Sequence, residues 1–269
     1  MAPSSGLQDR WPNFDRVETP ASQWDLRWDA TRKNGCPGFW RSNPALRVWA
    51  KPRSYKPYIP AREKIAADLG QLLGLPVAPV LLTRIRRRGR VRVLALSRYA
   101  RAKAHRKWSQ VKSKGPAELV RPVRRWFRRH RHALAGIWVL DTWLGNHDQT
   151  DRNVMVAYDP DSDQPLRAVY FYDFDASQGW IRRGRLRLGN RWRSPRLART
   201  TAAIRRHARA RSLRYWIRRI EALPRRRLRY VIGRLPAVCL SKRAKRQALR
   251  MLLHRRRRLR RVFQGVLRR

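Results

Sequence analysis

Asp148, Asn153, Asp173 and Asp175 are the side chains in this sequence best suited to do chemistry. They lie in residues 140–177, which pass from an apolar helix end through a polar loop into two short apolar runs. Ile137-Trp138-Val139-Leu140, with Trp143 and Leu144, leads into Gly145, whose tolerance of left-handed backbone makes it a helix stop. Val154-Met155-Val156-Ala157 and Ala168-Val169-Tyr170-Phe171-Tyr172 flank Asp159-Pro160-Asp161-Ser162-Asp163, which has the composition of a turn. The pair reads as a β-hairpin that ends on Asp173-Phe174-Asp175. A carboxylate, an amide and a second carboxylate held side by side suit phosphoryl transfer. One Asp orients or deprotonates the accepting hydroxyl, while an Asn and another Asp hold Mg²⁺ against the phosphates of ATP. Taken singly, each of these residues is also an ordinary turn former. Their ordered combination favours the chemistry.

An Asp-x₄-Asn loop followed by a hairpin and an Asp-Phe-x is the order found in protein kinases. Trp143-Leu144-Gly145-Asn146-His147-Asp148 with Asn153 resembles, more narrowly, the HipA-like kinases and their phosphoinositide-kinase-like relatives. There an apolar helix leads into Gly-Asn-x-Asp-Arg, with an Asn five residues after the Asp. Gln149 stands where that family usually carries Arg. Asp151-Arg152 offers a second Asp-Arg pair, but five residues beyond Asp151 lies Val156, which cannot bind a metal. The register is therefore Asp148 with Asn153.

The resemblance implies a set of N-terminal partners. Ala45-Leu46-Arg47-Val48-Trp49-Ala50-Lys51 reads as a strand, and residues 62–74 as a helix with apolar positions 65, 66, 69, 72 and 73, stopped by Gly74. In the kinase fold a strand lysine, here Lys51, neutralises ATP phosphates and pairs with a helix glutamate, here Glu63. On the residues alone, Lys51 is a strand charge and Glu63 a first-turn carboxylate suited to the helix dipole. Residues 63–80, including Leu75-Pro76-Val77-Ala78-Pro79, are similar to the corresponding helix and strand of the family. Gly35 and Gly38 form a turn where a phosphate-covering loop would lie. Two strands follow around a basic turn at residues 86–90, leading to Ser97-Arg98-Tyr99 as the hinge.

These elements predict an α+β, two-lobed protein-kinase-like fold, with a β-rich N-terminal lobe and a mostly helical C-terminal lobe. Residues 1–30 read as an irregular arm packed by its tryptophans, 31–99 as the N-terminal lobe and 100–269 as the C-terminal lobe. Residues 101–132 read as an amphipathic basic helical region, and residues 181–194 lie where kinases place an activation or substrate segment. The resemblance spans residues 35–267 and implies ATP and Mg²⁺ as cofactors. It implies a protein Ser or Thr hydroxyl as acceptor, with lipid or small-molecule acceptors the alternatives.

At 269 residues the chain is long enough for one such domain. No signal peptide and no run of the roughly 20 apolar residues needed to span a bilayer is visible. The two cysteines, Cys36 and Cys239, form no metal spacing and fit a cytoplasmic protein. Asp159, Asp161 and Asp163 lack the Gly and Glu of a calcium loop, having Gln164 and Tyr170 in those places.

The charge is extreme, with 66 Lys and Arg against 17 acids. After Asp175 the remaining 94 residues contain one acid, Glu221, and 33 Lys or Arg. Such a field attracts polyanions, either nucleic acid or an anionic membrane surface. Arg255-Arg256-Arg257-Arg258 is the densest run and the natural candidate for phosphate contacts. The alternative is a solvated helix surface whose Arg excess reflects genome composition. A second function class therefore stands beside the kinase: a nucleic-acid-binding protein on a degenerate kinase scaffold.

Overall fold

The computed structural model describes residues 18–26, 36–40, 43–52, 58–87, 89–146, 148–174, 181–182, 185–186, 204 and 208–268. The N-terminal lobe is built on strands β1 (Glu18–Pro20), β2 (Trp24–Leu26), β3 (Cys36–Trp40), β4 (Asn43–Pro52), β5 (Val80–Arg87) and β6 (Arg90–Arg98). They form one sheet in the order β1-β5-β6-β4-β3-β2, antiparallel except for the parallel β1–β5 pair. Helix α1 (Ile59–Leu72) covers one face.

Strand parity sorts the side chains between the two faces. Val80, Leu82, Val93 and Ala95 point into the large core that contains α1, while Val48, Ala50, Leu81, Leu94 and Leu96 pack with Trp24 on the opposite face. Lys51 pairs with Ala95, so it shares the α1 face. This alternation turns a strand charge inward.

The C-terminal lobe begins with β7 (Ala104–Lys107), α2 (Trp108–Lys114), α3 (Ala117–Arg129) and α4 (Arg131–Leu144). The expected hairpin is β8 (Val154–Tyr158) and β9 (Leu166–Phe171), with β7 added on the β8 side. Val154, Val156, Val169 and Phe171 face the large core. Met155, Ala157 and Tyr170 line an apolar seam with Ala78 and Ala100, where the lobes meet beside the hinge. After β10 (Ile181–Arg182) and β11 (Arg185–Leu186) come α5 (Ala210–Glu221), α6 (Arg225–Gly233), α7 (Lys242–Arg256) and α8 (Leu259–Leu267). Their apolar stripes meet α4 through Leu213, Trp216, Ile217, Leu252 and Phe263. Among the described residues no helix is long and apolar enough to cross a membrane.

Three expectations are corrected. Residues 18–20 and 24–26 are sheet strands, so the N-terminal arm is not irregular there, although Trp24 is packed as expected. Helix α1 starts at Ile59 rather than at 62, because Pro60 sits in its first turn, where a missing N–H costs nothing. Glu63 therefore lies beyond the first turn, and a dipole role does not account for it. Gly38 lies within β3 opposite Val48, so residues 36–39 are strand rather than turn, and Gly35 falls outside the described residues.

Candidate functional site

The polar loop after α4 is shaped by the end of that helix. Gly145 adopts φ 68°, and Asn146 N donates to the Asp141 carbonyl at 2.8 Å, closing the last turn. Asn146 is buried, and its Nδ2 donates to Asp141 Oδ1 at 2.8 Å and to Gln149 Oε1 at 3.2 Å. Gln149 Nε2 in turn donates to the Asn153 carbonyl at 3.2 Å. Burial holds the Asp141 carboxyl well above the usual carboxylate range, with the Asn146 hydrogen bond opposing the shift. The loop thus has a buried polar spine, Asp141–Asn146–Gln149–Asn153.

The two candidate groups of the loop are carried on that spine. Thr150 caps a 3₁₀ turn, Asp151–Asn153, by accepting from Arg152 N. Asn153 is buried at the end of this turn, and its Nδ2 donates to the carbonyl of Asp148. That bond uses the amide nitrogen and leaves Oδ1 as the ligand-capable atom. The Asp148 side chain is exposed to solvent, as a group that must meet a substrate needs to be.

Asp173 reaches the same region from the hairpin. Its φ of 65° is a left-handed conformation that Asp tolerates better than most residues. The Tyr172 hydroxyl just before it donates to the Arg152 carbonyl at 2.7 Å, and Tyr172 N donates to the Asn153 carbonyl at 3.1 Å. Burial and then the neighbouring Asp173 charge push the Tyr172 hydroxyl pKa up, so it remains a proton donor.

Lys51 joins the lobes. Its Nζ contacts Glu63 Oε1 at 2.7 Å and also Asp173 Oδ1. Glu63 Oε2 accepts from Phe174 N at 3.1 Å, so both carboxylate oxygens are engaged. Helix α1 is held in turn by a buried ion cluster. Asp68 accepts from Lys64 Nζ at 2.8 Å and from Arg234 NH2 at 2.6 Å, tying α1 to the end of α6. The side chain carrying Glu63 is thereby braced from the C-terminal lobe.

Asn153 and Asp173 offer an amide oxygen and a carboxylate oxygen, the hard ligands that suit Mg²⁺. Mg²⁺ is usually held by one or two carboxylates together with waters and substrate phosphates, so this small set fits it. Among the described residues no group of three His, Cys, Asp or Glu side chains could hold a metal ion. Asp175 lies outside the described residues.

The structure thus brings Lys51, Glu63 and Asp173 into direct contact and joins Asp148 to Asn153, while Gly38 lies in β3, opposite Val48 of the strand that carries Lys51. Sequence reasoning missed the buried spine and also misread Arg255. That residue is buried, its NH1 donates to the Trp143 carbonyl at 3.3 Å, and it packs against Gly145. Burial lowers its pKa to about 10. It braces the helix end before the loop and is no part of a solvated cation patch. Arg256 is likewise engaged, through NH1 to the Leu223 carbonyl. Gly145 suits its left-handed φ, and a Cβ there would fall 2.4 Å from Arg255 NH1 and displace the guanidinium.

A β-rich lobe with one covering helix, a hinge, and a helical lobe bearing the loop and hairpin define a protein-kinase-like α+β fold. The Helicobacter pylori proinflammatory kinase CtkA has a similar structure, with a TM-score of 0.61 over 93% of this chain and 98% of that chain, at 13% sequence identity. No protein-family model matches the chain, and no curated protein matches it.

Proposed function

We propose that the protein is an ATP- and Mg²⁺-dependent kinase of HipA-like type that transfers the γ-phosphoryl group to a protein Ser or Thr hydroxyl. The observation that carries this is the double engagement of Lys51. One ammonium from β4 meets Glu63 of α1 and Asp173 of the hairpin end, segments 122 residues apart in the case of Lys51 and Asp173. A surface charge has no need of such a setting, whereas a phosphate-neutralising lysine must be held in place.

In this reading Asp148 orients the accepting hydroxyl and takes up its proton. Asn153 and Asp173 hold the metal, and Asp175 is a further candidate ligand. Bound Mg²⁺ would supply charge neutralisation at the phosphates. Lys51 binds phosphate oxygens and is aimed by Glu63. Gln149 in place of the family's Arg does not favour a degenerate scaffold, because it completes the hydrogen-bonded spine.

Phosphoryl transfer from γ-labelled ATP to a mixture of Ser- and Thr-containing peptides, with and without Mg²⁺, tests the proposal. Asp148→Asn should keep nucleotide binding and lower turnover by roughly 10²–10⁴-fold. Transfer by the Asn variant within a factor of about two of the parent would remove Asp148 from the mechanism, since a positioned base contributes far more than that.

A further inference from the structure

Between Arg209 and Arg268, eighteen lysines and arginines are exposed, and Glu221 is the only acid in that span. Glu221 is itself paired with Arg260 at 2.9 Å. Cations packed at this density repel one another, and the repulsion is relieved by a polyanion. Two polyanionic surfaces could do this, and the packing of the helices separates them. An amphipathic helix that enters a membrane surface needs an apolar face to insert. Here Leu213, Trp216, Ile217 and Ile220 of α5, and Leu228, Val231 and Ile232 of α6, are already buried in the core.

The large apolar side chains that α5 and α6 leave exposed are Tyr215 and Tyr230, at 42% and 57%. Tyr215 is held firmly while remaining exposed. Arg219 NH1 donates to its hydroxyl at 2.9 Å, the His132 ring lies 4.6 Å from its ring, and Trp216 meets it edge-on at 5.3 Å. Arg211 and Arg218 stand one turn to either side of it on α5, and both are exposed. Tyr230 is flanked by Arg229 and carries the Arg234 guanidinium 5.2 Å from its ring centre. A fixed ring flanked by solvent-exposed guanidinium groups, as Tyr215 is by Arg211 and Arg218, is what stacking on a base and contact with its phosphates require.

We propose that the α5–α6 face binds single-stranded nucleic acid, with Tyr215 as a stacking platform and Arg211 and Arg218 as phosphate contacts. Only unpaired bases offer a free face to the ring, so a single strand is favoured over a duplex. The proposal does not depend on phosphoryl transfer, and none of these residues belongs to the candidate kinase site.

The test is fluorescence anisotropy of a labelled 20-nucleotide oligouridylate across a salt series, with the full chain. Affinity should fall with salt at a slope of about −0.7 per phosphate contacted. The double variant Arg211→Gln, Arg218→Gln should flatten that slope by about 1.4, the loss of two contacts. Tyr215→Ala should weaken binding by roughly tenfold, within the range of base–aromatic stacking. Tyr215→Phe, which keeps the ring and loses only its hydroxyl, should bind as the parent does. Three results would overturn the proposal: no binding at physiological salt, a Tyr215→Ala variant that binds as tightly as the parent, or tighter binding to vesicles containing phosphatidylserine than to the oligonucleotide. A change in thermal unfolding of the Ala variant beyond that of the Phe variant identifies a folding defect, and Tyr215→Leu, which keeps the bulk and loses the π-face, then decides: weakened binding supports the ring's role and parental binding refutes it.

Discussion

Replacing Gln149 tests whether the buried spine positions the candidate site. Gln149 is fully buried and bridges Asn146 Nδ2 and the Asn153 carbonyl, each at 3.2 Å. Both distances are at the long end for hydrogen bonds, and a typical one contributes about 1 kcal/mol net. Removing them with Gln149→Leu orphans neither partner. Asn146 Nδ2 keeps Asp141, and the Asn153 carbonyl keeps Tyr172 N. The expected loss is therefore about 2 kcal/mol at most, a drop in melting temperature of roughly 4–8 °C for a chain of this size. Turnover should fall further, by about 10–100-fold, the range seen when residues that orient a metal ligand are removed. Gln149→Glu keeps the shape and the acceptor but sets a carboxylate against the Asn153 carbonyl, away from water. Burial raises such a carboxyl pKa above its ordinary value. The folded state then holds the proton more tightly than the unfolded state. That variant keeps its stability below pH about 4 and loses it as pH rises towards the folded-state pKa. Urea unfolding at pH 4 and pH 7 should show parent and Glu variant converging in acid, and the Glu variant falling below the Leu variant at neutrality. Gln149→Arg, which introduces the residue found at this place in the HipA-like pattern, should not raise turnover. A Glu variant as stable as the parent at pH 7, or a gain of tenfold or more from Arg, would refute this account of the loop.

Lys51→Met should lower turnover by at least about 10²-fold, as loss of a preorganised charge-stabilising donor does, while circular dichroism still reports a folded chain. Turnover near the parent's would take Lys51 out of phosphate binding. Asp173→Ala should abolish the Mg²⁺ dependence of nucleotide binding measured by calorimetry, but Ala at φ 65° also costs about 1–2 kcal/mol of backbone strain. Asp173→Asn, which tolerates that conformation, separates the two effects: it should lose the Mg²⁺ dependence and keep the stability. Retained Mg²⁺ dependence in both variants would move the metal to another ligand.

Much of the fold was legible because its periodicity is strong. The alternation across β5 and β6 and the apolar positions of α1 mark their elements. What was not legible depends on tertiary pairing. Ala104-His105-Arg106-Lys107 has no apolar alternation, and it is a strand because β8 offers it an edge, with Ala104 opposite Tyr158 and Lys107 opposite Met155. β1 and β2 are three residues each, too short for a period to show, and they are set by their partners β5 and β3. The start of α1 was legible in principle, since Pro60 is a first-turn signal that the apolar pattern alone does not carry.

The site divides along the same line. Asp148, Asn153 and Asp173 stand out in the sequence as candidates because their order and spacing are local. The residues that hold them were missed because Asn and Gln in a loop look like turn formers. Asp141 carried a usable signal, a carboxylate inside the apolar run Ile137–Leu144, and a polar group in such a run needs a partner nearby. Arg255 carried one too. The buried positions of α7 are Ala244, Gln247, Ala248, Met251, Leu252 and Arg255, a regular three-and-four spacing along one face. Arg255 therefore falls on the core stripe, whereas Arg257 and Arg258 are exposed. Charge density made the four arginines look equivalent, but helical phase distinguishes them. The same phase places Arg211, Arg218 and Tyr215 outside the stripe of Leu213, Trp216, Ile217 and Ile220. In a chain this basic, the phase of each arginine relative to the apolar stripe decides whether it can meet a phosphate or must brace the core.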